Sequence, residues 1–505
     1  MVSLVSLLLL GTLGLCAAIR VALHVFNRRS RTLGPDLTHI PAIGNTGVFT
    51  SWISAFQCLL HTDSFLQEGY DKYKGRCFRV PELTRWIVIL SGDLIPEYLL
   101  QTEYTMGKTA VTNAYHIPLF RKITRNLDDY FPQLRHETAR LLDNHLRGDA
   151  VGPEWKPVVV SDMMFDVICR ATNTVYVGSK MASNDEYVHT CIGYSNEVAK
   201  ITAVANLLPS FLQSLILPFF SVNHYVRKAT HILRPLIEER QGGRHDLSAK
   251  FGRDEQYDDF LQWAVSKAAE QDEYERDPVT LTRRILLSNF VTLHTTTMTF
   301  LHALLHVAAN QRYVSILREE VSAVIAEHGW TKEAVDKMYF MDSLFKEVQR
   351  FDGLGCLTLT RKARETFQFS DGTVVPKGAF LAVARSATQL DDANHANAGV
   401  FDPWRFATAA NGRASGLREP RDDLTHADPT SLGFGLGRTA CPGRFFAATL
   451  MKMMLAHMVF DYDLAFDPKK ARVGEESARP INKWFSGHCI PDPAAKVYFR
   501  KRVPV

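Results

Sequence analysis

The residues best equipped for chemistry lie near the end of the chain, in the run Phe434-Gly435-Leu436-Gly437-Arg438-Thr439-Ala440-Cys441-Pro442-Gly443-Arg444-Phe445-Phe446. Gly433, Gly435 and Gly437 let a loop turn tightly and bring backbone N–H groups close to a ligand. Pro442 suits the first position of a helix, where its missing N–H costs nothing. Cys441 is therefore expected to open a helix that continues through Ala447 to Phe460 with an apolar face. At a helix N-terminus the macrodipole favours the thiolate and lowers the thiol pKa, and N–H donors from the loop add to that. On the residues alone this is a reactive or metal-bound thiolate on a glycine loop; the plain alternative is a buried, inert cysteine.

Two other groups are chemically notable. Glu347 and Arg350 stand at i and i+3 in LFKEVQRF, on one helix face; an arbitrary pair of this kind is a surface ion pair that contributes almost nothing. The stretch 281–310 reads as one long helix of about 45 Å, apolar around its middle and therefore buried. It nevertheless carries His294, Thr292, Thr295, Thr296, Thr297 and Thr299. Threonine is a mediocre helix former, and its hydroxyl can bond back to a carbonyl and bend the helix. His302 and His306 follow at i and i+4, a spacing that can bind zinc. No HExxH is formed and no third ligand is evident, so a second metal site is not expected.

The elements that must hold these groups form a large frame of 505 residues, longer than one ordinary core. Apolar residues make up 46% and charged residues 22%, a globular composition. A net charge of +4, with no Lys/Arg block interleaved with aromatics, excludes nucleic acid as a partner. The eight cysteines are scattered, with no CxxC, which argues against a zinc site or a disulfide framework and for a reducing compartment. Val2 to Phe26 is apolar enough to form a membrane-crossing helix of about 37 Å, and Arg28, Arg29 and Arg31 hold its end in the cytoplasm. A cleaved signal peptide is the competing reading, but no basic residues precede the apolar run. The organisation expected is an anchor over 1–27, a basic, Pro/Gly-rich connector over 28–48 and one catalytic domain over 49–505. Within it, 118–349 is mostly helical. Strands are expected at 86–90, 367–369, 374–376 and 380–383, and a loop over 391–426.

The cysteine run resembles the heme-binding signature of the cytochromes P450, with Phe seven residues before the cysteine, Gly four before and Gly two after. Phe434, Gly437, Cys441 and Gly443 stand at those places. The continuation Pro442 to Ala447 is similar to fungal microsomal members. The resemblance implies a mainly α fold with small β-sheets, a large helical lobe plus a smaller β-rich lobe, behind an N-terminal transmembrane helix. It implies heme b (iron protoporphyrin IX) with the Cys441 thiolate as axial ligand, and Phe434 packed beside the sulfur. A thiolate on heme iron donates electron density and favours O–O cleavage. By the same resemblance Glu347 and Arg350 form the ExxR pair, and Arg405, in Pro403-Trp404-Arg405-Phe406, completes a buried, structural Glu–Arg–Arg cluster. Arg361 is placed to bind a propionate. Where the family usually has Arg or His, two before the cysteine, this chain has Thr439; Arg438 is the candidate replacement. No early Trp-x-x-x-Arg is found, and Arg121 or Arg125 would substitute. The long helix resembles the oxygen-activating helix, with His294-Thr295 in place of acid-Thr. This makes Thr295 a hydrogen-bond donor during oxygen activation, His294 a member of the proton relay and Thr296 a further candidate.

The reaction so implied is insertion of one oxygen atom from O2 into an apolar small molecule, by hydroxylation, epoxidation or multi-step oxidation. The substrate leans towards a fungal secondary metabolite such as a terpenoid, alkaloid or polyketide. Electrons would come from NADPH through a separate NADPH-cytochrome P450 reductase, docking on Arg438, Arg444 and Lys452. The pocket would draw on 108–120, 207–220, Phe290, 352–358 and 483–490. The protein would sit in the endoplasmic reticulum membrane by a single span, with its catalytic domain in the cytoplasm. Two further readings stand beside this: a heme-thiolate isomerase or dehydratase that does not use O2, and a non-catalytic heme-binding protein.

Overall fold

Asp277 and Pro278 start the longest helix of the protein. The Asp277 carboxylate accepts the Thr280 N–H at 3.0 Å, and Pro278 fills the first turn, where no N–H is needed. The helix runs Pro278–Ala309 and stops at Asn310, whose side chain caps the next helix, Gln311–His328, through the Arg312 N–H. The expected helix over 281–310 is thus displaced by one turn at its start. The computed structural model describes residues 35–502 apart from 48–49, 102–105, 109–115, 147–153, 209–212, 214–215, 243–257, 408–418 and 473. The expected anchor over 1–27 and most of the connector lie outside those residues. Among the described residues no helix is long and apolar enough to cross a membrane.

Around this central helix pack Val160–Tyr176, Asp185–Leu207 and Val222–Gly242 on one side, and Tyr339–Phe351 and Arg444–Asp461 on the other. It is buried along most of its length, from Thr280 to Ala308. Apolar contacts do most of the packing, but polar pairs fix the register. The Asn173 amide donates to Asn289 Oδ1 at 2.7 Å, and the hydroxyls of Tyr176 and Thr292 meet at 2.8 Å. Such groups are stable in a core only when paired.

The β-rich part holds a five-stranded sheet: β1 (Phe78–Pro81), β2 (Trp86–Leu90), β3 (Met106–Lys108), β5 (Leu357–Ala363) and β8 (Phe380–Ala384), in the order β1-β2-β8-β5-β3. β2 pairs with β8 in parallel, Ile87 opposite Phe380, and the chain between them carries the central helix as well as β3 and β5 of the same sheet. Alternation along β2 sends Val88 and Leu90 into one apolar cluster and Ile87 and Ile89 into another. Both faces are covered, which is why WIVIL is a continuous apolar run. The strands expected at 86–90 and 380–383 are present, and those at 367–369 and 374–376 are the short pair β6 (Phe367–Gln368) and β7 (Val374–Val375). β4 (Lys156–Val159), β12 (Lys496–Lys501) and β9 (Tyr462–Ala465) form a three-stranded sheet, and β10 (Lys483–Phe485) with β11 (His488–Ile490) a hairpin.

Candidate active site

The Cys441 loop is closed by its own backbone. The Cys441 N–H donates to the Phe434 carbonyl at 2.8 Å, and the Ala440 N–H to Gly437 at 3.1 Å. Gly435 and Gly437 have φ of +71° and +65°, a backbone that only glycine adopts at no cost. The helix begins at Arg444, with Gly443 as its cap, so Cys441 lies in the turn before it and does not open it as expected. Two amides still reach the sulfur: those of Gly443 and Arg444. Burial pushes the Cys441 thiol up, while these amides and the Arg444 guanidinium pull it down, and burial wins. The expected lowering of the thiol pKa by the helix terminus alone is therefore corrected. A coordinated metal deprotonates a thiol outright, and the two amides would then hold the charge. Cys441 is the one cysteine of the described residues that keeps partial exposure; the other six are buried.

The central helix has an opening in its buried surface. Val291 is 44% exposed and Thr295 is exposed, while Thr292, Leu293, Thr296 and Thr297 are buried. Val291 and Thr295 are one turn apart on one face, and the Thr295 hydroxyl donates to the Val291 carbonyl at 2.8 Å. Thr296 thus points into packing. His294 turns about 100° away from Thr295. Its ring meets Phe165 at 5.3 Å and Phe290 at 5.7 Å, both edge-on, and it bonds the Ser195 backbone. Burial lowers its pKa, and its Nε2 has no partner among the described residues. The structure does not bring His294 onto the Thr295 face.

Behind the loop, Glu347 and Arg350 are fully buried, at 0% and 1% exposure. Arg350 donates through Nε and Nη2 to the two Glu347 oxygens, each at 2.7 Å, and Arg405 Nε donates to Oε2 at 3.1 Å. The remaining donors go to carbonyls, Arg350 Nη1 to Gln389 and Ala398 at 2.8 Å, and Arg405 Nη2 to Val400 at 2.9 Å. The Asp402 N–H adds a fourth bond to Glu347. The two motifs form one closed cluster.

Tyr98 was not singled out by sequence. Its hydroxyl donates to the Leu359 carbonyl at 2.7 Å, at a bulge of β5 where Leu359 has φ of +55°. Arg361 lies over the Tyr98 ring at 4.8 Å and donates to the Tyr98 carbonyl at 3.3 Å. Arg361 is 8% exposed, and no carboxylate pairs with it among the described residues. A buried guanidinium without a counter-charge is costly, and a heme propionate supplies that charge. With Cys441 partly exposed and Thr295 open, the residues fit a heme.

The basic docking face is corrected. Lys452 is 4% exposed and paired with Asp342 at 3.0 Å, because its helix is buried all round. Arg444 is spent on the Thr425 and Cys441 carbonyls, at 3.1 and 3.0 Å. Arg438 alone is exposed, as are Arg121 and Arg125, and the Thr439 hydroxyl bonds the Leu436 carbonyl.

The structure does bring a third and fourth group to His302 and His306: Asp352 and Cys489. The place a cation would take is filled by Arg479, whose Nη2 donates to His302 Nδ1 at 2.7 Å and whose Nη1 donates to Asp352 at 3.1 Å. The His306 ring donates to Asp352 at 2.8 Å and stacks on Phe401 at 3.6 Å. Burial pushes His302 down to about 4, and the Cys489 thiol up to about 12. Burial would raise Asp352, but His306, His302 and Arg479 hold it well below the usual carboxylate range.

The family model for "Cytochrome P450" matches residues 119–479. Cytochrome P450 monooxygenase 151 of Postia placenta is 34% identical, covering 92% of this chain and 94% of its own. Cytochrome P450 monooxygenase CYP512U6 of Ganoderma lucidum is 28% identical, covering 96% of both. Among solved structures, retinoic-acid-bound cyanobacterial CYP120A1 shares the fold, with a TM-score of 0.65 at 18% identity over 92% of this chain and 99% of its own.

Proposed function

The chain belongs to the cytochrome P450 family as a heme-dependent monooxygenase, and on that premise we propose that it oxidises an apolar small molecule held against the Val291–Thr295 face. The observation that carries this reading is the opening in a mostly buried helix, where Thr295 alone of its threonine run is exposed. Heme b supplies the iron on which O2 is activated. Cys441 would hold it through its sulfur, with the Gly443 and Arg444 amides steadying the charge. Arg361, held by Tyr98, would take a propionate. Phe434 packs beside the loop and accepts the Cys441 N–H, fixing where the sulfur points. The Thr295 hydroxyl would hold a proton at the open face, released from its bond to the Val291 carbonyl. Glu347, Arg350 and Arg405 would keep the loop's support rigid.

The substrate we propose is a secondary metabolite of terpenoid, alkaloid or polyketide type. By the family resemblance the pocket would draw on Phe290 and on Leu354, Cys356 and Leu357, apolar side chains of the kind that usually line ligand pockets. NADPH-cytochrome P450 reductase would deliver electrons near the exposed Arg438. The apolar segment 1–27 would anchor the protein in the endoplasmic reticulum membrane with the catalytic part in the cytoplasm. The test is direct. Purified protein, reduced under carbon monoxide, should give the red-shifted Soret band of a thiolate-ligated heme, and Cys441→Ser should lose it. Candidate substrates should then drive NADPH consumption in the presence of reductase. A Soret band at the position of histidine-ligated heme would overturn the assignment. Substrate conversion without reductase or O2 would favour the isomerase reading.

A further inference from the structure

The Arg479 cluster lies on the same stripe of the central helix as the opening. Val291, Thr295, Met298, His302 and His306 fall within about 80° of one another around the helix axis. The N-terminal part of the stripe is open at Val291 and Thr295, and the C-terminal part is covered, His302 being 1% exposed. What covers it is the β10–β11 hairpin and the segment leading into it. The His302 Nε2 faces the Cys489 carbonyl at 3.4 Å, and Arg479 and Asn482 immediately precede β10.

One cation ties these parts together. Arg479 bonds His302 on the central helix, Asp352 after the Glu347 helix and Asn482 before the hairpin, the last at 2.9 Å. Asn482 returns a bond to Asp352 at 2.7 Å. Arg479 and Asp352 are opposite charges, so the cluster is balanced, and two neutral rings complete it. Beyond this cluster the hairpin has other ties to its neighbours, including Cys356 N–H to the Gly487 carbonyl at 2.7 Å and Ser486 N–H to Leu59 at 3.1 Å. Those fix the hairpin's turn; the Arg479 cluster fixes its base against the helix that carries Thr295.

We propose that Arg479, held by Asp352, is a positioning residue that fixes the β10–β11 hairpin across the end of the open face and so sets how long a substrate the cleft accepts. This rests on the reading of the Val291–Thr295 face as the substrate cleft. The hairpin is the end wall, and Arg479 is what keeps it in place. A longer ligand meets that wall; a short one does not.

The test compares two ligands that bind heme iron through nitrogen, N-phenylimidazole and the longer N-(biphenylyl)imidazole, by absorbance titration of the holoenzyme. Arg479→Met should change the ratio of their Kd values at least about tenfold, the scale on which a pocket's shape discriminates ligands. Amide exchange over 481–491 should quicken, while that of 160–176 stays as in the wild type. The double variant Asp352→Asn/Arg479→Gln removes both charges together and leaves none buried alone; it should shift the ratio the same way and guards against a single variant that fails to fold. A ratio within about twofold of wild type in both variants overturns the proposal, even if exchange quickens, because the hairpin would then move without consequence for the cleft. Val291→Phe narrows the open face itself and should weaken both ligands. If it weakens neither, the cleft reading fails, and this inference falls with it for a distinguishable reason.

Discussion

Two of the ion clusters buried among the described residues, around Glu347 and around Asp352, are built differently. Around Glu347, every spare donor of Arg350 and Arg405 ends on a backbone carbonyl. Around Asp352, the Nη2 donors of Arg479 end on an imidazole and an amide side chain, and its Nε has no partner among the described residues. Carbonyls do not titrate and are fixed by the fold; imidazoles titrate and can turn. The first cluster is therefore a permanent part of the core, while the second is a latch whose strength depends on pH. The first also comes from two compact motifs, whereas the second gathers segments from three distant parts of the chain.

The largest effect that would break this contrast is at Glu347. Glu347→Gln leaves the buried Arg350 and the half-buried Arg405 without their carboxylate, which costs about 3–5 kcal/mol, and chemical denaturation should find little folded holoprotein. If the variant unfolds at the wild-type midpoint, the cluster is not structural. Acid should separate the two clusters next. His302 sits near 4 when folded against 6.5 ordinarily, so protons bind the unfolded chain first, and stability falls as pH drops from 6.5 towards 4. For this one group the loss approaches about 3 kcal/mol, and the lowered pKa of His306 acts in the same direction. The depressed carboxyl of Asp352 adds a further loss only below its ordinary 3.8. His302→Gln should flatten the profile between 6.5 and 4, measured by urea unfolding at each pH; an unchanged slope would show that the cluster does not carry it.

A neutral tie sets the scale beneath both. Tyr98→Phe removes one hydrogen bond, to Leu359, and should cost about 1 kcal/mol while loosening Arg361; heme should leave the variant faster on transfer to apomyoglobin. The smallest effect on stability belongs to an exposed cation. Arg438→Ala should leave the unfolding free energy within about 0.5 kcal/mol of wild type but slow reduction by the reductase, followed by stopped-flow. If reduction is as fast as before, the docking surface lies elsewhere.

What the sequence made legible was what is contiguous in it. The glycine loop, the ExxR pair and the Pro-x-Arg-Phe segment each place their residues by local geometry, and WIVIL announces a strand by its apolar run. Errors came where the neighbours decide. Lys452 reads as a surface residue, yet its helix is enclosed on all sides and Asp342 waits for it. The Cys441 thiol reads as acidic from its place near a helix start, but loss of water outweighs two amides. His294 and Thr295 are adjacent in sequence and face different elements. Asp352, Arg479 and Asn482 carried no local pattern, because their meaning arises only when three segments meet. The tie from Tyr98 to Leu359 spans 261 positions, beyond the reach of any motif.

The stripe on the central helix has a consequence for how this chain can vary. Thr295 and His302 share a face because seven residues nearly complete two turns. One residue inserted between them would swing the histidines about 100° away from Asp352 and advance them by about 1.5 Å. The two ends of the cleft are thus geared to one another. Diversification there has to proceed by exchanging side chains at constant length, while the loops outside that stretch stay free to lengthen.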